Sequence, residues 1–276
     1  MNALEDKIAD IQKHAKNIRR NIIKMLAHAG SGHTAGSLDL ADIFATLYCG
    51  GVMNYDPKNP TDPNRDVLFL SAGHTCPVLY ATLAEIGAIS EDELMTLRQF
   101  GSRLQGHPER TMLPYLESTS GPLGCGLSQA AGYAYAKKYL DCNEKPHIYV
   151  VTGDGELDEG NIWEAALFAG KNKLDNLTLF VDRNSIQLSG GTENIMPLEP
   201  LTDKWTSFGF ETKVVDGNSP AELLAALSET GKSNKPVAII AKTVPAKGVS
   251  FMEGDYHWHG KTPNVEQAEL ALKELV

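Results

Sequence analysis

The sequence predicts an α/β protein with a mostly parallel sheet and helices on both faces. Two stretches carry that reading. His147-Ile148-Tyr149-Val150-Val151-Thr152-Gly153-Asp154-Gly155 and Leu177-Thr178-Leu179-Phe180-Val181-Asp182-Arg183-Asn184 are apolar, β-branched runs that stop abruptly in a polar turn. Buried parallel strands read this way. Between them, 161–170 is rich in helix formers, with Ile162, Ala165, Ala166 and Ala169 at three-four spacing. Strand, turn, helix and strand form one unit, whose crossover should be right-handed.

The other elements follow in order. Leu4, Ile8, Ile11, Ala15, Ile18, Ile22, Met25 and Ala29 mark one face of a long amphipathic helix, and Gly30 ends it. Gly30-Ser31-Gly32-His33 is a polar loop, and 39–48 reads as a second helix. After Pro57, Pro60 and Pro63 a short strand is predicted at 67–70. It ends in Ser71-Ala72-Gly73-His74, again an apolar run, a glycine and a polar side chain. A helix is expected at 77–86. Another starts at Ser90, with Glu93 placed for a capping box, and runs to about Phe100.

The glycine-rich segment 101–126 has little regular structure, and so long a loop in a compact domain is usually functional. The small-residue helix 127–140 suits close packing against another helix or a neighbouring protein. Residues 205–210 lead into a strand at 211–215, followed by a helix at 221–227 and a buried strand at 236–241. The loop beyond carries Lys247-Gly248 and His257-Trp258-His259-Gly260, and 265–275 is a short amphipathic helix.

Composition narrows the classes of function. A chain of 276 residues with 42% hydrophobic content fits one α/β domain over 1–276. A net charge of -10 with dispersed Lys and Arg argues against a nucleic-acid partner. Cys49, Cys76, Cys125 and Cys142 show neither metal-ligand spacing nor a disulfide framework, which suits a reducing, cytoplasmic compartment. The charged amino-terminal segment does not read as a secretory signal, and no apolar run approaches membrane-spanning length.

Asp154 and Asn184 leave the carboxyl ends of successive strands, the edge where open parallel sheets bind ligands. One carboxylate, one amide oxygen and a main-chain carbonyl, which Ile186 is placed to give, form a partial set of hard oxygen ligands. Magnesium or calcium would complete its shell with water and diphosphate oxygens. Gly153 and Gly155 permit a tight turn and close approach, and the following helix is expected to point its amino end at the anion. His33, His74, His107 and His259 lie in glycine-bearing loops, at least two of them after strands, which suggests a shared cleft.

These motifs resemble the amino-terminal, cofactor-diphosphate domain of the transketolase family. The resemblance rests on Ser31-Gly32-His33, Gly73-His74, Gly106-His107-Pro108-Glu109, Gly121-Pro122-Leu123-Gly124, Gly153-Asp154-Gly155-Glu156-Leu157-Asp158-Glu159-Gly160 with Trp163-Glu164-Ala165, Asn184 and His259-Gly260. It covers nearly the whole chain, in the family's order. It implies a thiamine diphosphate-binding fold and transfer of a two-carbon ketol unit between sugar phosphates. Thiamine diphosphate and Mg2+ are the implied cofactors, with Ca2+ or Mn2+ able to substitute.

By the same resemblance, Asp154, Asn184 and the Ile186 carbonyl would hold the metal. His74, Gly153, Gly155 and Glu156 would line the cofactor site, and Gly121 and Leu123 would present main-chain groups to the aminopyrimidine. His33, His107 and His259 would line the substrate channel, His259 also touching the cofactor. Glu159 is either an exposed first-turn acid or, by resemblance, a dimer-interface carboxylate linking two cofactor sites.

The family's second domain, which carries the activating glutamate, has no counterpart after Ala241. The resemblance therefore implies the amino-terminal subunit of a split transketolase, inactive alone and pairing with a carboxyl-terminal subunit in a heterotetramer of two pairs. The segment 127–140 and the region of Glu159 are the expected contact surfaces. A fragment of a longer protein would look similar, although the natural-looking start and finished last helix favour a separate subunit.

Thr34, Cys125 and Arg183 depart from the common family wording. They leave the sugar open between ordinary pentose phosphates, the first choice, and a branched or sulfonated sugar phosphate. Other readings are a half-enzyme for 1-deoxyxylulose-5-phosphate synthesis, the alpha chain of a 2-oxo acid dehydrogenase, or a non-catalytic regulatory partner.

Overall fold

A computed structural model describes residues 3–141 and 145–276, so Cys142 lies outside the described residues. From the amino terminus, α1 (Ala3–Ala29) leads into α2 (Ala35–Asp39) and α3 (Ala41–Tyr48). After β1 (Val67–Leu70) come α4 (Cys76–Glu85), α5 (Glu91–Leu94) and α6 (Cys125–Tyr135). The central unit is β2 (Ile148–Gly153), α7 (Gly160–Lys171) and β3 (Leu177–Arg183). It is followed by a small hairpin of β4 (Ile186–Gln187) and β5 (Gly190–Gly191), then α8 (Thr192–Ile195) and α9 (Leu201–Ser207). Last come β6 (Glu211–Asp216), α10 (Pro220–Leu227), β7 (Val237–Lys242) and α11 (Val265–Glu274).

The main sheet has the order β1-β2-β3-β7-β6, parallel throughout. Successive side chains along each strand point to opposite faces, and both faces are buried along β1, β2, β3 and β7, whereas the edge strand β6 is partly exposed. Tyr149, Val151, Phe180 and Ile239 join the larger core with α1, α3, α4 and α10. Val150, Leu179, Val181 and Ile240 join the core formed with α6, α7 and α9. The register pairs Gly153 with Asp182 and Asp182 with Ala241, which sets the ends of the three central strands side by side.

Several boundaries differ from expectation. The second helix starts at Ala35 and breaks at Leu40, giving two pieces. The helix after Ser90 stops at Leu94 instead of reaching Phe100, because Arg98 and Gly101 adopt positive φ angles of 61° and 79°. Ser90 does accept from the Glu93 N–H, but the Glu93 carboxylate turns to Arg103, so half of the capping box is absent. A full capping box instead opens α11, between Asn264 and Gln267. The small-residue helix begins at Cys125 and its last turn, Ala136–Leu140, widens to a π-helix. Its Ala130, Ala131 and Ala134 are buried within this chain's own core, so that stripe is already used; Ser128, Gln129 and Gly132 face outward.

Candidate active site

The strand ends converge as predicted. Asp154 follows β2, and its carboxylate is buried. Oδ1 accepts from Gly155 N at 2.8 Å, and Oδ2 accepts from Ser185 N at 2.7 Å and from Arg183 Nη1 at 2.8 Å. Asn184, just past β3, accepts at Oδ1 from Ile186 N at 3.0 Å. Its Nδ2 donates to Asp39 and Asp182, both at 3.1 Å, so the amide is pinned with its oxygen directed away from those acids. Burial raises the pKa of Asp154, drives that of Asp39 far up and holds Asp182 at about 8. The Asp39 and Asp182 carboxylates also repel each other, a second cause for Asp39.

A cavity of about 140 Å³ opens onto these groups, lined by His74, Leu123, Gly153, Gly155, Glu156 and His259 among others. Asp154 Oδ1 accepts from Gly155 N and Asn184 Oδ1 from Ile186 N, which leaves a lone pair on each for a cation. Carboxylate, amide and carbonyl oxygens are the donor set that Mg2+, Ca2+ and Mn2+ prefer. The residues present therefore fit a divalent ion.

The turn is tighter than the sequence suggests. A 3-10 turn, Gly155–Asp158, separates Asp154 from α7, so the helix amino end begins only at Gly160. The N–H groups of Gly153 and Gly155 are engaged by Glu156 and Asp154 within that turn. Glu156 lines the cavity, yet its carboxylate is a staple, accepting from the Ser71 hydroxyl, Gly124 N at 2.6 Å and Gly153 N at 3.2 Å. A Cβ on Gly155 would meet Gln187 Cβ at 3.1 Å, which explains the glycine there. Glu159 is exposed at the start of α7, and its side chain caps nothing.

Three of the four histidines form a cluster. The rings of His33 and His74 lie 4.9 Å apart, His74 and His259 5.3 Å, and His33 and His259 5.8 Å. His33 is set by flanking anchors: Thr34 Oγ1 donates to Lys261 O at 2.5 Å, and Ser37 Oγ donates to His33 O at 2.7 Å. Its Nδ1 and that of His259 are buried without a protein partner. His107 is exposed, stands beside Gly121, and faces a separate open cavity of about 370 Å³ with Arg98. A larger cavity, about 880 Å³ around Arg65, Arg110 and Tyr133, shares no lining residue with these groups.

Burial, then mutual repulsion, lowers the His33 pKa to about 4 and the His74 pKa to about 3. Burial lowers His107 and His259 as well. All four rings are therefore neutral at pH 7, each offering one donor and one acceptor. This has a consequence for acid stability. An unfolded histidine binds its proton near pH 6.5, before folded His33 does, so stability contributed above pH 6.5 is lost as pH falls toward 4. His33→Asn is expected to flatten the fall in melting temperature between pH 6.5 and 4. An unaltered slope in a calorimetric pH series would contradict this.

Known proteins place this chain in a family. The family described as "Transketolase, thiamine diphosphate binding domain" matches residues 11–274. The chain belongs to the transketolase family. It is 42% identical to an apulose-4-phosphate transketolase subunit of Actinobacillus succinogenes, over 96% of each chain. It is 40% identical to a 6-deoxy-6-sulfo-D-fructose transketolase subunit of Clostridium sp. strain MSTE9, again over 96% of each. The transketolase structure from Campylobacter jejuni superposes with a TM-score of 0.90 at 35% identity, over 100% of this chain but 43% of that one. The chain thus matches transketolase subunits end to end and full-length transketolases over less than half their length.

Two residues at the candidate site carry no signal in the sequence. Arg98 donates to Gly106 O at 3.3 Å, and its charge helps lower the pKa of His33 and His107. A helix expected through Phe100 hides it, since residue type does not announce the positive φ that turns it toward Gly106. Gln187 lines the smaller cavity, packed against Gly155. Its place on a hairpin of two-residue strands leaves no periodic trace.

Proposed function

We propose that this chain is the single diphosphate- and metal-binding domain of a split transketolase, paired with a carboxyl-terminal subunit that supplies the activating glutamate. The two pairs would assemble as a heterotetramer in the cytoplasm. No helix among the described residues is long and apolar enough to cross a membrane. The observation that carries the reading is a cluster of three neutral histidines, of which His74 and His259 line the cavity edged by Asp154, Asn184 and Ile186, in a chain matched over 96% of its length by transketolase subunits.

Bound thiamine diphosphate would supply the carbon nucleophile and electron sink for ketol transfer. Asp154, Asn184 and the Ile186 carbonyl would hold Mg2+ against the diphosphate, with His74, Gly155 and Gln187 beside it. Gly121 and Leu123 would meet the aminopyrimidine. His33 and His259, each with one ring donor and one ring acceptor, would meet the sugar hydroxyls, and His107 would do so from the open side. Rings neutral at pH 7 suit proton relay in either direction. Glu159, exposed and uncapped, would face the neighbouring pair.

Pentose phosphates are the first substrates to test. Apulose 4-phosphate and 6-deoxy-6-sulfofructose follow, from the names of the two relatives. Ketol transfer from xylulose 5-phosphate to ribose 5-phosphate is expected with Mg2+, thiamine diphosphate and the partner together, and not with this chain alone. Turnover by the chain alone would refute the split-enzyme reading. Silence of the mixture toward all three donors would refute ketol transfer.

A further inference from the structure

Arg183 stands directly behind the candidate metal site. It is the last residue of β3, its side chain is 6% exposed, and it precedes the proposed metal ligand Asn184. Its guanidinium donates from Nη1 to Asp154 Oδ2 at 2.8 Å and to Thr192 Oγ1 at 2.6 Å. Nη2 donates to Glu193 Oε1 at 2.6 Å and Glu199 Oε1 at 3.2 Å.

Among Asp154, Asn184 and the Ile186 carbonyl, only Asp154 carries a formal charge, and Arg183, shared with Glu193 and Glu199, offsets part of it. Resting on the metal-site reading above, we propose that Arg183 sets the charge of this site: it suppresses binding of a free divalent cation and favours arrival of the anionic diphosphate. A dication entering first would meet a carboxylate already paired to a buried cation directly behind it, and Coulomb repulsion is weakly screened there. A diphosphate entering first would meet that cation's attraction. The diphosphate then supplies the negative charge that makes the metal welcome.

The role is separable from a structural one. Ser185 N and Gly155 N hold the Asp154 carboxylate from both oxygens, so the ligand keeps its position without the guanidinium. Glu193 and Glu199 are 42% and 56% exposed at their side chains and can be solvated when Arg183 is removed. Asp39 and Asp182 touch the nitrogen of Asn184 and are common to wild type and variants. A comparison of variants therefore isolates the guanidinium charge.

The test titrates Mn2+ without cofactor, by the loss of its free-ion electron paramagnetic resonance signal, and separately inorganic pyrophosphate with a chelator present, by calorimetry. Both use the full chain. Arg183→Met is expected to tighten Mn2+ about tenfold and to weaken pyrophosphate by about the same factor. Glu193→Gln combined with Glu199→Gln, both at exposed side chains and each keeping an amide oxygen to accept from Leu198 N or Leu201 N, should shift each affinity the opposite way. Weakening of both ligands by Arg183→Met, unmoved affinities, or no detectable binding by any chain overturns the proposal. Asp154→Ala separates the failures. If it leaves Mn2+ binding intact, the metal assignment has failed; if it abolishes binding while Arg183→Met shifts nothing, only the charge-setting role has failed.

Discussion

Asp154→Ala is expected to weaken thiamine diphosphate binding to the assembled enzyme at least about 100-fold, because losing even a residue that supports a metal ligand costs about 10–100-fold. The effect should be carried by the metal. Wild-type affinity should fall on adding a chelator, whereas the variant's already weak affinity should not change. The fold should survive. Arg183 keeps Glu193, Glu199 and Thr192 as partners, and Gly155 and Ser185, whose N–H groups are freed, each line a cavity that water can enter. A calorimetric titration with and without Mg2+ checks the prediction. Equal affinity in variant and wild type would remove Asp154 from the metal site.

The parts of this protein that are legible in sequence are those governed by local pattern. The strands at 67–70, 148–153, 177–183 and 237–242 fall where the apolar runs predict them, because a strand buried on both faces needs an unbroken run, while the edge strand at 211–216 is polar and only partly buried. Gly153-Asp154 and Asn184 can be brought together from sequence, since a βαβ unit fixes the relative position of its strand ends. What stays hidden depends on partners far apart in sequence or on backbone choices that residue type does not dictate. Arg183 stands out as a departure from family wording, but its pairing with Asp154, Glu193 and Glu199 exists only once the hairpin after β3 folds back. Asp39 and Asp182 read as an ordinary helix residue and an ordinary strand residue. Their meeting across Asn184 joins α2 to the end of β3. The helices at Thr192–Ile195 and Leu201–Ser207 are too short to show a period.

Glu156 shows how one motif can carry a role that its letters do not announce. As one more polar residue of a Gly-Asp-Gly-Glu string, it reads as a cofactor contact. In the fold its carboxylate lies 2% exposed and ties three segments together: Ser71 after β1, Gly124 at the start of α6, and Gly153 at the end of β2. Gly124 sits at φ +81°, where Cβ-bearing residues are strained, and a Cβ there would come within 2.0 Å of Asn161 Oδ1. The staple therefore fixes a turn that has no slack. Glu156→Ala would leave the Gly124 and Gly153 N–H groups and the Ser71 hydroxyl without their acceptor in a buried place, at about 1–3 kcal/mol for each donor that water cannot reach. A total loss of about 3–5 kcal/mol is expected, which lowers the melting temperature of a chain this size by roughly 10 °C. Glu156→Gln keeps one acceptor oxygen but turns an amide N–H toward a backbone donor, so it should recover about half of that loss. Scanning calorimetry on both variants decides the matter. Melting temperatures within a degree of wild type would mean that the carboxylate is not structural, and would return Glu156 to the cofactor.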